Sequence, residues 1–106
     1  MISEEAIRQA VGRIVAAARP SKVILFGSYA RGVADEGSDL DFLVIQRQLA
    51  DRYGEMIRLR DAIGSVGTGV DVLVCSEAEA RRRGQVPGTA VYWALKEGRI
   101  LYDAAA

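Results

Sequence analysis

Three short apolar runs rich in β-forming residues constrain most strongly what this chain can fold into. They span residues 22–26, 40–45 and 70–75, and helical segments separate them. A fourth run at residues 99–102 has the character of an edge strand. Short apolar runs bounded by turn residues are typical of buried strands. The sequence therefore predicts a small sheet.

Five helical segments surround these predicted strands. The first begins after Ser3, a good N-cap, and ends before Pro20, which cannot continue a helix. The others are predicted to open at Ser28 and to cover residues 49–66, 77–83 and 89–97. In the segment 49–66, helical spacing predicts an apolar face made of Leu49, Tyr53, Met56, Ile57 and Ile63. The order α-β-α-β-α-β-α-α-β predicts an α/β (α+β) fold, a small mixed sheet flanked by helices.

Length and composition exclude several kinds of chemistry. A chain of 106 residues suits one domain over residues 1–106. One cysteine and no histidine rule out a disulfide framework and histidine acid–base catalysis, which leaves such work to Asp and Glu. Fourteen basic and fourteen acidic residues cancel, so the basic footprint of direct nucleic-acid binding is missing. With neither a secretory leader nor a run long enough for a membrane span, a cytoplasmic protein is expected.

A glycine and a serine follow the first predicted strand, where a helix is predicted to begin. Gly27 has no β-carbon, so its backbone can approach a bulky anion closely. Ser28 offers a hydroxyl group and a main-chain N–H at the helix start, a position that commonly binds phosphate. Arg31, one turn later, adds positive charge near the same anion. These residues predict a phosphate-binding turn.

Aspartates mark the starts of the second and third predicted strands. Asp39 and Asp41 are two residues apart, so strand alternation sends both side chains to one face, with Cα atoms about 6–7 Å apart. Asp71 lies in an otherwise apolar strand, where a carboxylate is costly to bury unless it is paired or bound to a metal. Carboxylates on one face can hold Mg²⁺, which also takes up substrate phosphates. If the two strands are neighbours, the three aspartates can form one metal site.

The spacing of these residues resembles the signature of a known superfamily. Gly27-Ser28, ten residues and Asp39-Leu40-Asp41 follow the pattern of the DNA polymerase beta-like nucleotidyltransferases. The segments GSYARG and GSDLDFLV look like the minimal nucleotidyltransferases in particular, which are antitoxin partners of HEPN-domain ribonucleases. The resemblance covers residues 23–74 well and includes the ending ALKEGRILY.

The resemblance implies a role for each matching residue. Gly27 and Ser28 would hold the triphosphate of ATP, and Arg31 matches a frequent basic position of the family. Asp39 and Asp41 would bind Mg²⁺, with two ions expected. Asp71 would be the third catalytic carboxylate, which helps to activate the acceptor hydroxyl.

The resemblance also implies a reaction and a partner. The expected reaction moves AMP from ATP to a hydroxyl group, most naturally a tyrosine of a HEPN ribonuclease toxin. The chain would act as the antitoxin of that toxin and form a hetero-oligomer with it. Two other functions fit the same sequence. The acceptor could be a small molecule, as in aminoglycoside-modifying nucleotidyltransferases. Alternatively, the chain neutralises its partner by masking it, and then Tyr92, Trp93 and the apolar C-terminal segment would matter more than the aspartates.

The remaining charged or reactive residues have structural interpretations. Asp35 and Glu36 are expected to solvate the loop at residues 32–38, and Cys75 is expected to be a small buried apolar residue. The basic run at residues 81–83 favours the end of a helix, where positive charge suits the helix dipole. A phosphate or RNA contact is the minor alternative for this run.

Overall fold

Five helices and four strands make up the structure, a computed structural model that describes residues 1–106. In chain order they are α1 (Glu4–Ala18), β1 (Lys22–Phe26), α2 (Gly27–Arg31), β2 (Leu40–Gln46), α3 (Arg52–Ile63), β3 (Val70–Ser76), α4 (Glu77–Arg83), α5 (Ala90–Glu97) and β4 (Arg99–Asp103). The predicted order is confirmed, and each strand begins and ends within one residue of its predicted bounds. None of the helices combines the length and the apolar character needed to traverse a bilayer.

The four strands form one mixed sheet in the order β3-β2-β1-β4. β2 and β3 are parallel, whereas β1 is antiparallel to both β2 and β4. A parallel pair needs a crossover connection, and α3 lies in the connection between β2 and β3. The register places Asp41 opposite Phe26 of β1 and opposite Asp71 of β3. The predicted mixed sheet flanked by helices is confirmed, and its second and third strands are neighbours.

Alternation along the strands divides the apolar side chains between two faces of the sheet. On one face, Phe42 and Val44 of β2 join the main core with buried residues of α1 and α3. On the other face, Leu43 and Ile45 pack with buried residues of α4 and α5. Because side chains alternate along a strand, Asp41 lies on the face that α4 and α5 cover in part.

The third helix differs from its prediction of residues 49–66. It begins at Arg52, and Asp51 caps its start by accepting a hydrogen bond from the backbone N–H of Gly54. It ends at Ile63, and Gly64 follows. The predicted apolar face is confirmed in part: Ile63 is buried and Leu49 and Met56 pack against the core, whereas Tyr53 is 77% exposed and Ile57 is 53% exposed. The buried residues of this helix are Leu59 and Ile63. The cap and the terminal glycine shorten the helix, and its packing on the core buries the stripe that contains Leu59 and Ile63.

The capping box at the start of α4 is confirmed and gives a first testable prediction. The Ser76 hydroxyl accepts from the Glu79 N–H, and the Glu79 carboxylate accepts from the Ser76 N–H, both at 3.1 Å. Replacement of Ser76 by alanine is expected to lower the free energy of unfolding by about 1 kcal/mol. Urea denaturation measures the change. Ser65→Ala, at an exposed loop position, is the control, and equal stability of the two variants would contradict the assignment.

Candidate functional site

The turn from β1 into α2 forms one side of the candidate site. Gly27 has φ 75°, in the left-handed region that favours glycine, and the N-cap residue Phe26 supplies no side-chain hydrogen bond. The backbone at the start of α2 is therefore free of a side-chain cap. The Tyr29 hydroxyl accepts a hydrogen bond from the Ile2 N–H at 3.1 Å, which ties α2 to the chain just before α1. The short helix predicted to open at Ser28 is confirmed.

The missing side chain of Gly27 makes room for Asp41. A β-carbon built on Gly27 would overlap a carboxylate oxygen of Asp41. The sequence suggested that Gly27 lets the backbone approach an anion. In the structure, the anionic group that occupies this space is the carboxylate of the facing strand. Gly27 of the turn and Asp41 of β2 are therefore in close contact, which only glycine at position 27 allows.

The carboxylates of Asp41 and Asp71 form the centre of the candidate site. The two residues are register partners on parallel strands, and their carboxyl groups lie within hydrogen-bonding reach of each other. Burial, together with the charges of Asp71 and Asp39, raises the pKa of Asp41 to about 6, and the charge of Arg31 opposes the rise. Asp41 is partly buried, whereas Asp39 and Asp71 are exposed. The structure therefore brings all three predicted aspartates and Arg31 into one neighbourhood.

Asp39 is positioned by residues that the sequence analysis did not single out. Its carboxylate lies against Gly69, where a β-carbon would overlap it. The Thr68 hydroxyl donates to the Ser38 carbonyl at 2.8 Å, and the Leu40 N–H donates to the Gly69 carbonyl at 2.9 Å. The sequence signal that could have identified this contact is the glycine directly before the third strand.

The donor set fits a hard divalent cation. Carboxylate oxygens are the ligands that Mg²⁺ prefers, and mutual repulsion among the aspartates is relieved when a cation lies between them. No three acidic or cysteine side chains converge closely enough to enclose an ion. Mg²⁺ is usually held by one or two carboxylates together with substrate phosphates, so an open set of carboxylates suits it. Asp39, Asp41 and Asp71 are the carboxylates from which one or two would hold the ion together with substrate phosphates.

The acidic loop residues between α2 and β2 have structural partners. The Asp35 carboxylate accepts hydrogen bonds from the Gly37 N–H at 2.9 Å and the Ser38 hydroxyl at 3.2 Å. Glu36 forms an ion pair with the terminal amino group of Met1 at 3.1 Å. These contacts indicate that both acidic side chains stabilise the conformation of the loop.

The close approach of the carboxylates predicts that a divalent cation stabilises the folded protein to an extent that depends on pH. The folded protein keeps the Asp41 proton up to about pH 6, whereas the ordinary pKa is 3.8. The folded state therefore binds more protons in this window, and metal-free stability is expected to fall as the pH rises from about 4 to about 6. Millimolar MgCl₂ is expected to raise Tm at about pH 8 and to have little effect at about pH 4.

Thermal unfolding with NaCl at matched ionic strength is the control for this prediction. The rise in Tm should disappear in the double variant Asp39→Asn with Asp41→Asn. An equal rise in that variant would mean that Mg²⁺ acts elsewhere on the protein.

Comparison with known proteins adds a family and a fold. Residues 4–98 match the family model of the nucleotidyltransferase domain. A candidate nucleotidyltransferase from Sulfolobus solfataricus has a TM-score of 0.66 at 20% identity, covering 95% of this chain and 80% of that chain. A toxin-antitoxin structure with AMP-PNP has a TM-score of 0.57 at 21% identity, covering 91% of this chain and 73% of that chain. No curated protein matches the sequence. At these identities, the two structures establish a shared fold.

Proposed function

Because this chain belongs to the nucleotidyltransferase domain family, we propose that it transfers AMP from ATP to a partner toxin and thereby acts as an antitoxin. The proposed partner is a HEPN-domain ribonuclease, and the acceptor is a tyrosine hydroxyl. The reaction uses Mg²⁺, and the two proteins form a hetero-oligomer. One observation carries the proposal. The adjoining carboxylates of Asp41 and Asp71 lie beside the Gly27 turn at the start of α2.

Residues of this chain would bind the two charged components of the reaction. Gly27 and Ser28 would hold the triphosphate at the start of α2, and Arg31 would add positive charge. Asp39, Asp41 and Asp71 would hold Mg²⁺, which supplies positive charge against the phosphates when bound. The family resemblance and the proximity of these residues support this division of roles.

The proposed chemistry is substitution at the α-phosphorus of ATP. The acceptor oxygen forms a bond to that phosphorus, the bond to the oxygen that bridges to the β-phosphorus breaks, and pyrophosphate leaves. The acceptor proton passes to a carboxylate of this chain. Asp71 is the proposed recipient, because it is exposed and matches the third carboxylate of the superfamily. Positioning and electrostatics would supply most of the rate enhancement.

Two observations favour a protein as the acceptor. Asp39 and Asp71 are exposed, so a large acceptor can reach the carboxylates. One of the two similar structures is a toxin-antitoxin with AMP-PNP, which supports both a toxin partner and an adenine nucleotide.

Label transfer tests the proposed reaction. The purified chain is incubated with Mg²⁺, α-labelled ATP and the neighbouring-gene HEPN protein. Label is expected on the partner, and it should be lost with Asp39→Asn and when the acceptor tyrosine is replaced by phenylalanine. Asp61→Asn removes an exposed carboxylate of α3 and should leave labelling intact. Normal labelling by Asp39→Asn would refute the metal site, and label on an aminoglycoside alone would favour a small-molecule enzyme.

Masking of the partner is the second candidate function, and an exposed aromatic residue favours it. Trp93 is 45% exposed, and its ring meets that of Tyr92 edge to face at 5.2 Å. If masking operates, the double variant Asp39→Asn with Asp41→Asn still neutralises the toxin, whereas Trp93→Ala does not. If AMP transfer is essential, the double variant loses neutralisation while it still binds the partner.

A further inference from the structure

A large cleft lies at the end of the sheet remote from the aspartates. Its volume is about 1150 Å³, and it is lined by residues from the end of α1, the start of β1, the end of β2 and α4. Lys22 lines the cleft, whereas Phe26 at the other end of β1 pairs with Asp41. Four residues of extended chain separate the two sites by about 13 Å. The cleft has room for a small organic ligand and is distinct from the aspartate site.

Four basic residues that line this cleft form no ion pair, although Lys22 is the register partner of Asp103 on β4. The four residues are Arg19, Lys22, Arg47 and Arg81. Arg83, which is close to Arg81 in sequence, instead lies 3.9 Å from Glu79. The cleft thus gathers positive charge from three segments that are distant in sequence, the first of which supplies both Arg19 and Lys22.

The acidic residues of the cleft balance only part of this charge. Glu55 is paired with Arg58 at 2.7 Å and accepts from the Gln46 amide at 2.5 Å. Glu77 accepts the hydroxyl hydrogen of Ser21, and Asp103 accepts from a backbone N–H at 2.9 Å. Four cations therefore face two carboxylates that lack a cationic partner, and the cleft carries net positive charge.

The backbone of Arg19 is an independent sign that this position is special. Arg19 follows α1 with φ 46° and ψ 57°, and it has the only positive φ outside glycine. Glycine is usual at this position after a helix, because a β-carbon costs free energy there. An arginine kept in a strained conformation suggests a use for its side chain.

We propose that this cleft binds an organic phosphate, a small molecule with a phosphate group and an apolar or planar part. The guanidinium groups and Lys22 would hold the phosphate, since arginine forms strong charge-assisted hydrogen bonds with it. Ile45, Ala80 and Leu95 provide the apolar wall for the rest of the ligand. The site is separate from the proposed transfer reaction and does not depend on it.

Titration with AMP in EDTA tests this site, with binding followed by calorimetry. AMP is expected to bind at least about tenfold more tightly than uncharged adenosine. Arg81→Gln should weaken AMP binding about tenfold. Arg82→Gln makes the same charge change at the next residue of α4, outside the cleft, and should leave binding unchanged.

Two further variants separate binding from folding and from the aspartate site. Arg19→Gly removes a guanidinium group, so it should weaken AMP binding. Because glycine tolerates the left-handed backbone at this position, Tm should not fall. The double variant Asp39→Asn with Asp41→Asn should bind AMP as the wild type does, whatever its transfer activity. Loss of AMP binding in that double variant, equal binding of adenosine, or binding of a single-stranded oligonucleotide but not AMP would each overturn the proposal.

Discussion

Replacement of Asp41 by asparagine is expected to lower nucleotidyl transfer by at least about 10³-fold. Asparagine keeps the size of the side chain but removes the negative charge that would hold Mg²⁺ beside Asp39 and Asp71. Asp41 is the most enclosed of the three, because it lies between the Gly27 turn and Asp71. Label transfer to the partner measures the loss, and Asp61→Asn is the matched control. Activity within tenfold of wild type would exclude Asp41 from the reaction.

The same variant is expected to be more stable than the wild type without metal. At about pH 8 the gain should be about 1–2 kcal/mol, after allowance for solvent screening of a partly exposed group. The reason is that ionised Asp41 is partly buried and faces two like charges. The gain should shrink at about pH 4, where Asp41 is protonated in the folded wild type.

Urea denaturation at both pH values measures this change in stability. A stabilised but inactive variant cannot be explained by misfolding. A variant that is less stable than the wild type at both pH values would contradict the electrostatic account of Asp41.

Replacement of Gly27 by alanine is expected to destabilise the protein by about 2–4 kcal/mol. The left-handed backbone at φ 75° disfavours any β-carbon, and the new methyl group would overlap the Asp41 carboxylate. Nucleotide binding should weaken as well, because the start of α2 must shift. Urea denaturation gives the stability, and titration with ATP and Mg²⁺ gives the affinity.

A double-mutant cycle separates the two causes of this destabilisation. Asp41→Ala removes the carboxylate, so Gly27→Ala should cost less in that background, and the difference measures the overlap. Gly12→Ala is the matched control, because Gly12 lies inside α1 with no atom within 4 Å of a built β-carbon. That variant should gain about 0.5–1 kcal/mol. Equal costs of Gly27→Ala in both backgrounds would exclude the contact with Asp41.

The strands could be predicted from sequence because local signals set both of their ends. The run at residues 22–26 stops at Gly27, where the backbone enters the left-handed region, and the run that starts at residue 40 follows a turn closed by Asp35. In α3, by contrast, the apolar spacing suggested Tyr53 and Ile57 as core residues, yet both are exposed. Helical spacing identifies candidate faces, but the sheet and α1 select the stripe that is buried.

The sequence named the candidate site residues, and only the structure shows that they lie close together. The Gly-Ser and Asp-x-Asp spacing pointed to the nucleotidyltransferases, and the family match confirms a nucleotidyltransferase domain. The role of Gly69 beside Asp39 was missed, because the contact joins residues that are 30 positions apart in sequence. The roles of the individual aspartates in binding Mg²⁺ stay predictions that the experiments above test.

The sequence by itself determined the order of elements, the family, and the absence of histidine, which leaves acid–base work to carboxylates. These properties depend on residue type, spacing and local turn preferences, all of which act over a few residues. Only the tertiary structure decided that β2 and β3 are neighbours, that Asp41 lies opposite Asp71, and that four unpaired basic residues line one remote cleft. Those contacts depend on strand pairing and sheet packing, which bring together residues that are far apart in sequence. Local sequence patterns cover only a few residues, so they cannot specify such contacts.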